Sequence, residues 1–358
     1  MIRTPAPARV LRGQAALEAA APEVARLGHR PLLVHGTVGE ARVRPRLDPA
    51  LAAAGVAPER HCHEGPTTAP AIERAARAAR AAGCDAVLGV GGGRVLDVAK
   101  AAAWRVGLPA VAVPTSPATC AAVTAIAVAY DDAGAWSGPV PGVTGPELCV
   151  LDAGVLAAAP DRLLAAGVLD ALVKVREVRL AARRLAHPDA WSTTALAACA
   201  VLADLVDPAA GAAASIWPPP APERATLAEA VVWLPGLVAG LAGEANKLAA
   251  AHAVHNALTL LPGHERALHG ELVAVGLLVQ EALDGAGDAS LVALVAWMRR
   301  LGVDPSLEGL GCGALWRDPD PVLAHALSHA GMRAAFPAVN ADGLAAALRR
   351  VEALAGRG

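Results

Sequence analysis

The chain has 358 residues, 55% of them apolar, which is enough for two domains with sizeable cores and unlike a disordered segment. A formal net charge of −2 gives no electrostatic reason to expect a nucleic-acid or membrane-surface partner. Six scattered cysteines without a CxxC spacing argue against a disulfide framework or a structural zinc knuckle and predict a reducing, cytoplasmic setting.

The opening MIRTPAPARVLRGQAALEAA lacks the uninterrupted apolar core of a signal peptide. The apolar run before Glu244 is interrupted by Pro235 and reads as too short to span a bilayer. Residue usage is biased: only three of the 31 basic side chains are lysines, namely Lys100, Lys174 and Lys247, and Tyr130 is the one tyrosine. Against that bias each of these exceptions is worth reading.

In chain order, residues 30–36 predict a buried first strand ending at Gly36, and residues 47–55 a helix. Residues 56–64 predict a second strand. His61 and His63 share one of its faces, but no third ligand is evident nearby. An Ala/Arg-rich amphipathic helix follows over 68–83. Asp85–Val90 is a buried strand, Gly91, Gly92 and Gly93 make a tight turn, and Val95–Ala103 begins a helix. Strand, glycine turn and helix present backbone N–H groups and a helix N-terminus to a phosphate, with Asp97 and Lys100 in the next turns. Residues 109–116 form a short strand ending in hydroxyls. Thr115, Ser116 and Thr119 can bond a phosphate or ribose. AIAVAYDDAGAW reads as a hairpin and ELCVLD as a closing strand. Alternating strands and helices predict a parallel sheet with helices on both faces over residues 1–153.

From 154 to 358 the pattern is helical throughout, punctuated by prolines and glycines, so the cleft between an α/β half and an all-α half is the expected site. Asp170 sits on an apolar helix with Lys174 one turn on. A buried carboxylate there needs a partner. Two readings stand: an i,i+4 ion pair with Lys174, or a metal ligand beside two histidines. The stretch KLAAAHAVHNALTLLPGHERALHGELVAVGLLVQ supplies those histidines. His252 and His255 share a helical face, Pro262-Gly263 ends that segment, and His269 stands at the entrance of the next helix. One Asp and two His leave open positions for a substrate oxygen.

GGGRVLDVAK, PTSPATCAAVTAIAVAYDDAG, LLAAGVLDALVKVREV, AAAHAVHNALT and HGELVAVGLLVQ together resemble the iron-containing alcohol dehydrogenase superfamily, nearest its glycerol dehydrogenase branch. The resemblance covers about residues 30 to 280. It implies a Rossmann-like domain, a helical domain of dehydroquinate synthase-like architecture, NAD or NADP in the cleft, and a divalent metal on Asp170, His252 and His269. Lys174 stands where iron-type members carry a fourth ligand, His, so zinc is favoured over iron, with Lys174 supporting the site from behind. By the same matching Gly36, Thr37, Gly91, Gly92, Gly93, Asp97, Lys100, Thr115, Ser116, Thr119, Thr124, Ile126 and Tyr130 belong to the cofactor region. His255 faces the substrate as a proton relay.

Two departures stand out. Cys120 occupies the place of an Asp that contacts glycerol, which puts glycerol itself in doubt. Thr37 replaces the family's ribose-binding Asp, with Arg42 and Arg44 nearby, which leaves NAD versus NADP open. The resemblance implies reversible alcohol oxidation on a small alcohol or hydroxy acid by a homo-oligomer. Alternatives are oxidation of a β-hydroxy acid with decarboxylation, a dehydroquinate synthase-like lyase, or a nucleotide-binding protein without catalysis.

Overall fold

The structure is a computed structural model that describes residues 8–210, 216–243 and 246–356. It opens with a strand, β1 (Arg9–Gly13), and a helix, α1 (Ala16–Leu27), so the segment expected to be the first strand is the second, β2 (Pro31–His35). The half-exposed RVLRG carries arginines at Arg9 and Arg12 and shows no apolar run. Its pairing with a strand 139 residues away (Arg9 opposite Leu148) is invisible to local pattern. The next helix, α2 (Thr37–Ala53), starts ten residues before its expected position. Pro45 and Pro49 lie inside it, and prolines, which lack a donor, hide a helix from its own pattern.

Then come β3 (Glu59–Cys62), α3 (Ala69–Ala81), β4 (Ala86–Gly91), α4 (Gly93–Val106), β5 (Ala110–Pro114), the hairpin β6 (Val128–Tyr130) and β7 (Trp136–Pro139), and β8 (Leu148–Asp152). Six strands make one parallel sheet in the order β1-β8-β5-β4-β2-β3. Successive side chains of a strand point to opposite faces. Accordingly Leu33, Leu88 and Val113 pack with Leu17, Val43 and Leu47 of α1 and α2. Leu32, Val34 and Val87 pack with Ile72, Ala75 and Val98 of α3 and α4 on the other side. Both faces are covered, which is why these strands read as continuous apolar runs.

After Asp152 the described residues are helical: α5 (Ala153–Ala157), α6 (Asp161–Ala182), α7 (Ala190–Val206), α8 (Ala221–Ala242), α9 (Ala250–Leu258), α10 (His269–Leu283), α11 (Asp288–Arg300), α12 (Asp320–Ser328), α13 (Ala330–Ala335) and α14 (Ala341–Ala355). The expected α/β half followed by an all-α half is present. Pro235 does not break α8, contrary to expectation. The helix runs on for 22 residues and is long and apolar enough on those grounds alone to cross a bilayer. Most of its apolar surface is buried against α5, α6 and α7, as in a core helix.

Helix α6 is the axis of the second half. It is buried on nearly every side, as a helix apolar all round must be, and it packs on α7, α8 and α10. Helix α10 approaches it very closely. A Cβ on Gly270 would stand 1.9 Å from the Ala166 carbonyl oxygen, and one on Gly276 would stand 2.1 Å from the Ala251 carbonyl oxygen in α9. Neither backbone oxygen can swing away, so Gly270→Ala is expected to destabilise the chain by about 2–3 kcal/mol. The loss should appear as a lower urea midpoint; an unchanged midpoint would show that α10 tolerates a wider spacing.

Candidate metal centre

Three helices bring one ligand each to a single point. Asp170 lies in the first half of α6, His252 in the first turn of α9, and His269 opens α10. Asp170 Oδ1 is 3.9 Å from His252 Nε2 and 3.6 Å from His269 Nε2, and the three ligand atoms lie within 4.8 Å of one another. Ligands about 2.1 Å from a tetrahedral centre stand roughly 3.4 Å apart, so the cluster is close to coordinating size. The sequence-derived set Asp170, His252 and His269 is thus brought together. His61 and His63 gain no third ligand among the described residues.

The ring nitrogens not aimed at Asp170 are all engaged. His252 Nδ1 lies 2.7 Å from Glu177 Oε2. An ionised carboxylate only accepts, so Nδ1 carries the hydrogen and Nε2 keeps its lone pair for a cation. His255 Nδ1 donates to Asn256 Oδ1 at 2.8 Å, which leaves its Nε2 to accept from His269 Nδ1 at 3.0 Å. His269 is thereby fixed with Nε2 facing Asp170. Two imidazole tautomers are set by second groups, as metal-binding histidines require.

His255 was expected to face the substrate. Its ring is only 2% exposed and both its nitrogens are occupied, so it holds His269 in place from behind. Lys174 was read as an i,i+4 partner of Asp170 or as a support for the site. Its Nζ donates to the Lys247 carbonyl at 2.9 Å and lies 3.8 Å from Glu177. Cys120 is half-buried, and burial together with the nearby Asp170 charge pushes its thiol up to about 12, so it stays protonated.

Sequence reasoning missed Glu177, Asn256 and Glu271. Glu177 is fully buried. Its Oε1 accepts from the backbone N–H of Ala249 at 2.7 Å and of His252 at 3.1 Å, so it also caps the start of α9. A signal was present: Asp170, Lys174 and Glu177 are spaced i, i+4, i+7 on one apolar helix, a charged stripe where none is affordable without partners. Glu271 accepts from the Leu268 N–H at 2.7 Å and from Arg162 of α6 at 2.6 Å, pinning the entrance of α10 where His269 stands.

The glycine turn lies where expected. Gly91 ends β4, Gly92 caps α4 without a side chain, and Gly93 opens the helix. Thr115 and Ser116 follow β5. The Ser116 and Thr119 hydroxyls accept from the N–H groups of Ala118 and Ala121. Asp97 and Lys100 do not face the turn. They are buried and ion-paired at 2.9 Å, and Lys100 donates to the carbonyls of Ala121, Thr124 and Ile126 while Asp97 accepts from the Val128 N–H. Their place is behind the 121–128 loop, which they hold together. Tyr130 follows that loop, its hydroxyl pushed up to about 12 by burial. The hairpin is tied to the helical half through Trp136 N–H to Thr259 Oγ1 at 2.8 Å and His264 Nε2 to Gly134 O at 3.1 Å.

Thr37 opens α2 after Gly36. Its N–H and hydroxyl donate to Glu64 Oε1 at 2.8 and 2.7 Å. Arg44 lies 3.6 Å from Glu40 and 3.3 Å from Asp48 on its own helix, and Arg42 is exposed.

Burial raises the cost of charge throughout the cluster. It pushes the Asp170 carboxyl up, but the neighbouring His269 and His252 rings, 3.6 and 3.9 Å away, and the Lys174 ammonium prevail and hold it at about 2. Burial holds His252 below its ordinary value against the pull of Glu177, and holds His255 well below. Both rings are therefore ready ligands or supports without first losing a proton.

A curated relative, the glycerol dehydrogenase of Pseudomonas putida, is 35% identical over 73% of this chain and 72% of its own length. Hydroxycarboxylate dehydrogenase A of Escherichia coli (strain K12) is 32% identical over 90% of this chain and 89% of its own. With another curated relative the match spans only 60% of the relative's length. The family model described as iron-containing alcohol dehydrogenase matches residues 7–153. Among solved structures, a probable glycerol dehydrogenase from Sinorhizobium meliloti 1021 superposes with a TM-score of 0.81, 26% identity and 99% of each chain covered.

Glu177→Gln places an amide N–H₂ or a neutral oxygen against His252 Nδ1 and is expected to weaken binding of an added divalent metal about 10- to 100-fold, read by chelator competition. An unchanged affinity would remove Glu177 from the site. Protonation gives a second expectation. The folded values of His252 and His255 lie below their unfolded ones, so below about pH 6.5 the unfolded chain binds more protons and stability falls with acid. The lowered Asp170 and Glu177 carboxyls add a further loss as the pH drops below the ordinary carboxylate range. Metal-stripped protein should unfold at lower urea at about pH 5.5 than at about pH 7.5; equal midpoints would contradict neutral buried rings.

Proposed function

The chain belongs to the iron-containing alcohol dehydrogenase family, and from that premise we propose that it is a metal-dependent, nicotinamide-linked oxidoreductase that interconverts an alcohol and a carbonyl compound. The observation that carries this reading is the convergence of Asp170, His252 and His269 with both imidazole Nε2 atoms turned inward.

When bound, the divalent cation supplies Lewis acidity to a substrate oxygen, and the nicotinamide exchanges hydride with the adjoining carbon. The chain's part is positioning and charge. Asp170, His252 and His269 hold the cation, Glu177 keeps the His252 tautomer, and Asn256 through His255 keeps that of His269. Asp170, Glu177 and Lys174 are two carboxylates and one ammonium, a single net negative charge. A divalent cation held there would keep part of its charge for a substrate oxygen. The glycine turn and the first turn of α4 offer N–H groups to a pyrophosphate. We favour zinc. The set has three protein ligands, and the Lys174 ammonium, already donating to the Lys247 carbonyl, has no lone pair to add a fourth.

A hydroxy acid suits this pocket better than glycerol. Cys120 offers a protonated thiol where a polyol needs a carboxylate acceptor. The similarity to hydroxycarboxylate dehydrogenase A over 90% of this chain supports the same choice. The six free cysteines support a reducing, cytoplasmic setting.

Purified protein is expected to carry about one zinc per chain and to reduce a 2-keto acid with a nicotinamide cofactor. His252→Ala and Asp170→Asn should lose the metal and at least about 10³-fold in kcat/KM, equivalent to several kcal/mol of lost charge stabilisation. Elemental analysis with steady-state kinetics on both variants makes the check. Full turnover by metal-free protein would overturn the assignment.

A further inference from the structure

Thr37 removes the carboxylate expected at the end of β2, yet a carboxylate stands there. Glu64 lies two residues beyond β3, the strand paired with β2, and reaches across to the start of α2. Its Oε1 accepts from both the N–H and the hydroxyl of Thr37. Among the described residues its Oε2 accepts no hydrogen bond. The Thr37 N–H and hydroxyl hold the Glu64 carboxyl below its usual range, so it is ionised at neutral pH.

The position of this carboxylate gives it a use. The first turn of α2 rests on the glycine turn: a Cβ on Gly39 would stand 3.4 Å from Gly91 Cα and 2.4 Å from Thr115 Oγ1. β2 pairs directly with β4, the strand that delivers Gly91–Gly93. In a doubly wound sheet the pyrophosphate lies on such a turn, and an acidic group at the end of the neighbouring strand accepts from the adenosine ribose hydroxyls. Here that neighbour is β2, and the acid at its end arrives from the β3 side.

We infer that Glu64 is the ribose acceptor of this chain and makes it select NAD(H) against NADP(H). The inference rests on the nicotinamide reading of the previous subsection. Oε2 is free to accept from a 2′- or 3′-hydroxyl, whereas a 2′-phosphate in the same place puts two negative groups together. The basic groups that act on Glu64 are the His63 and His35 imidazoles. Arg44 is engaged by Glu40 and Asp48, and Arg42 lies exposed farther along α2. Thr37 therefore relocates the acid rather than losing it, and its role is to orient Glu64.

The test is Glu64→Gln, which can still accept from Thr37 and so keeps the local structure while removing the charge. Dissociation constants for NADH and NADPH are measured by ligand fluorescence on wild type and variant, and those for ADP and adenosine 2′,5′-bisphosphate by calorimetry, which requires no turnover. Wild type is expected to prefer NADH over NADPH, and ADP over the bisphosphate, by at least about 30-fold. In the variant NADH should weaken about 10-fold and both preferences should shrink to within about threefold. Equal binding of NADH and NADPH by wild type, or an unchanged preference in the variant, overturns the role of Glu64 and leaves the nicotinamide reading intact. Failure of wild type to bind either dinucleotide overturns both.

Discussion

The Glu177 carboxylate is the interaction on which the site depends. It has no exposure at all, and a buried charge without partners costs several kcal/mol. It has four partners from two elements: the Ala249 and His252 N–H groups, His252 Nδ1, and the Lys174 ammonium. One group therefore starts helix α9, chooses the tautomer of a ligand on that helix, and accounts for a buried lysine. These tasks cannot be separated, because the N–H groups of a helix's first turn have no partner inside the helix. Placing a ligand in that first turn puts it within reach of whatever caps the helix.

The second constraint is the distance between helices. Asp170 and His269 can share a cation only if α6 and α10 meet backbone to backbone, and Gly270 beside His269 permits this. Arg162, near the start of α6, grips Glu271 and the Arg266 carbonyl, so the entrance of α10 is tied to the helix that carries Asp170. Between these two contacts His269 has little room to shift. The hairpin of β6 and β7, bonded to Thr259 and His264, fixes the sheet half against the same helices.

The parallel sheet and the grouping of Asp170, His252 and His269 were legible in the sequence because each leaves a local trace. Strands covered on both faces are apolar runs, and charged or imidazole groups stand out in an Ala/Leu background. What was not legible depends on pairings across long separations. β1 has no apolar signature and exists through its register with β8, and α2 hides behind Pro45 and Pro49. His255 illustrates a different limit. Spacing puts it on the face of His252, but only the approach of α10 determines that its Nε2 meets His269 Nδ1. Asp97 and Lys100 looked like cofactor residues because they follow the glycine turn. Their partners are loop carbonyls for Lys100 and the Val128 N–H for Asp97, more than twenty residues on, which a motif cannot reveal.

Lys174 connects the metal question to the substrate question. Its ammonium donates to the Lys247 carbonyl, just before the start of α9, and its charge is set against Glu177. Held in this way, it adds no ligand yet leaves a positive charge buried near Asp170. A fourth ligand at this position would lower the demand of a cation for substrate oxygen. An ammonium, which has no lone pair to give, leaves that demand intact. Cys120, with its thiol held protonated, likewise adds no negative charge near Asp170. Neither group therefore competes with a substrate oxygen for a cation that Asp170, His252 and His269 would hold.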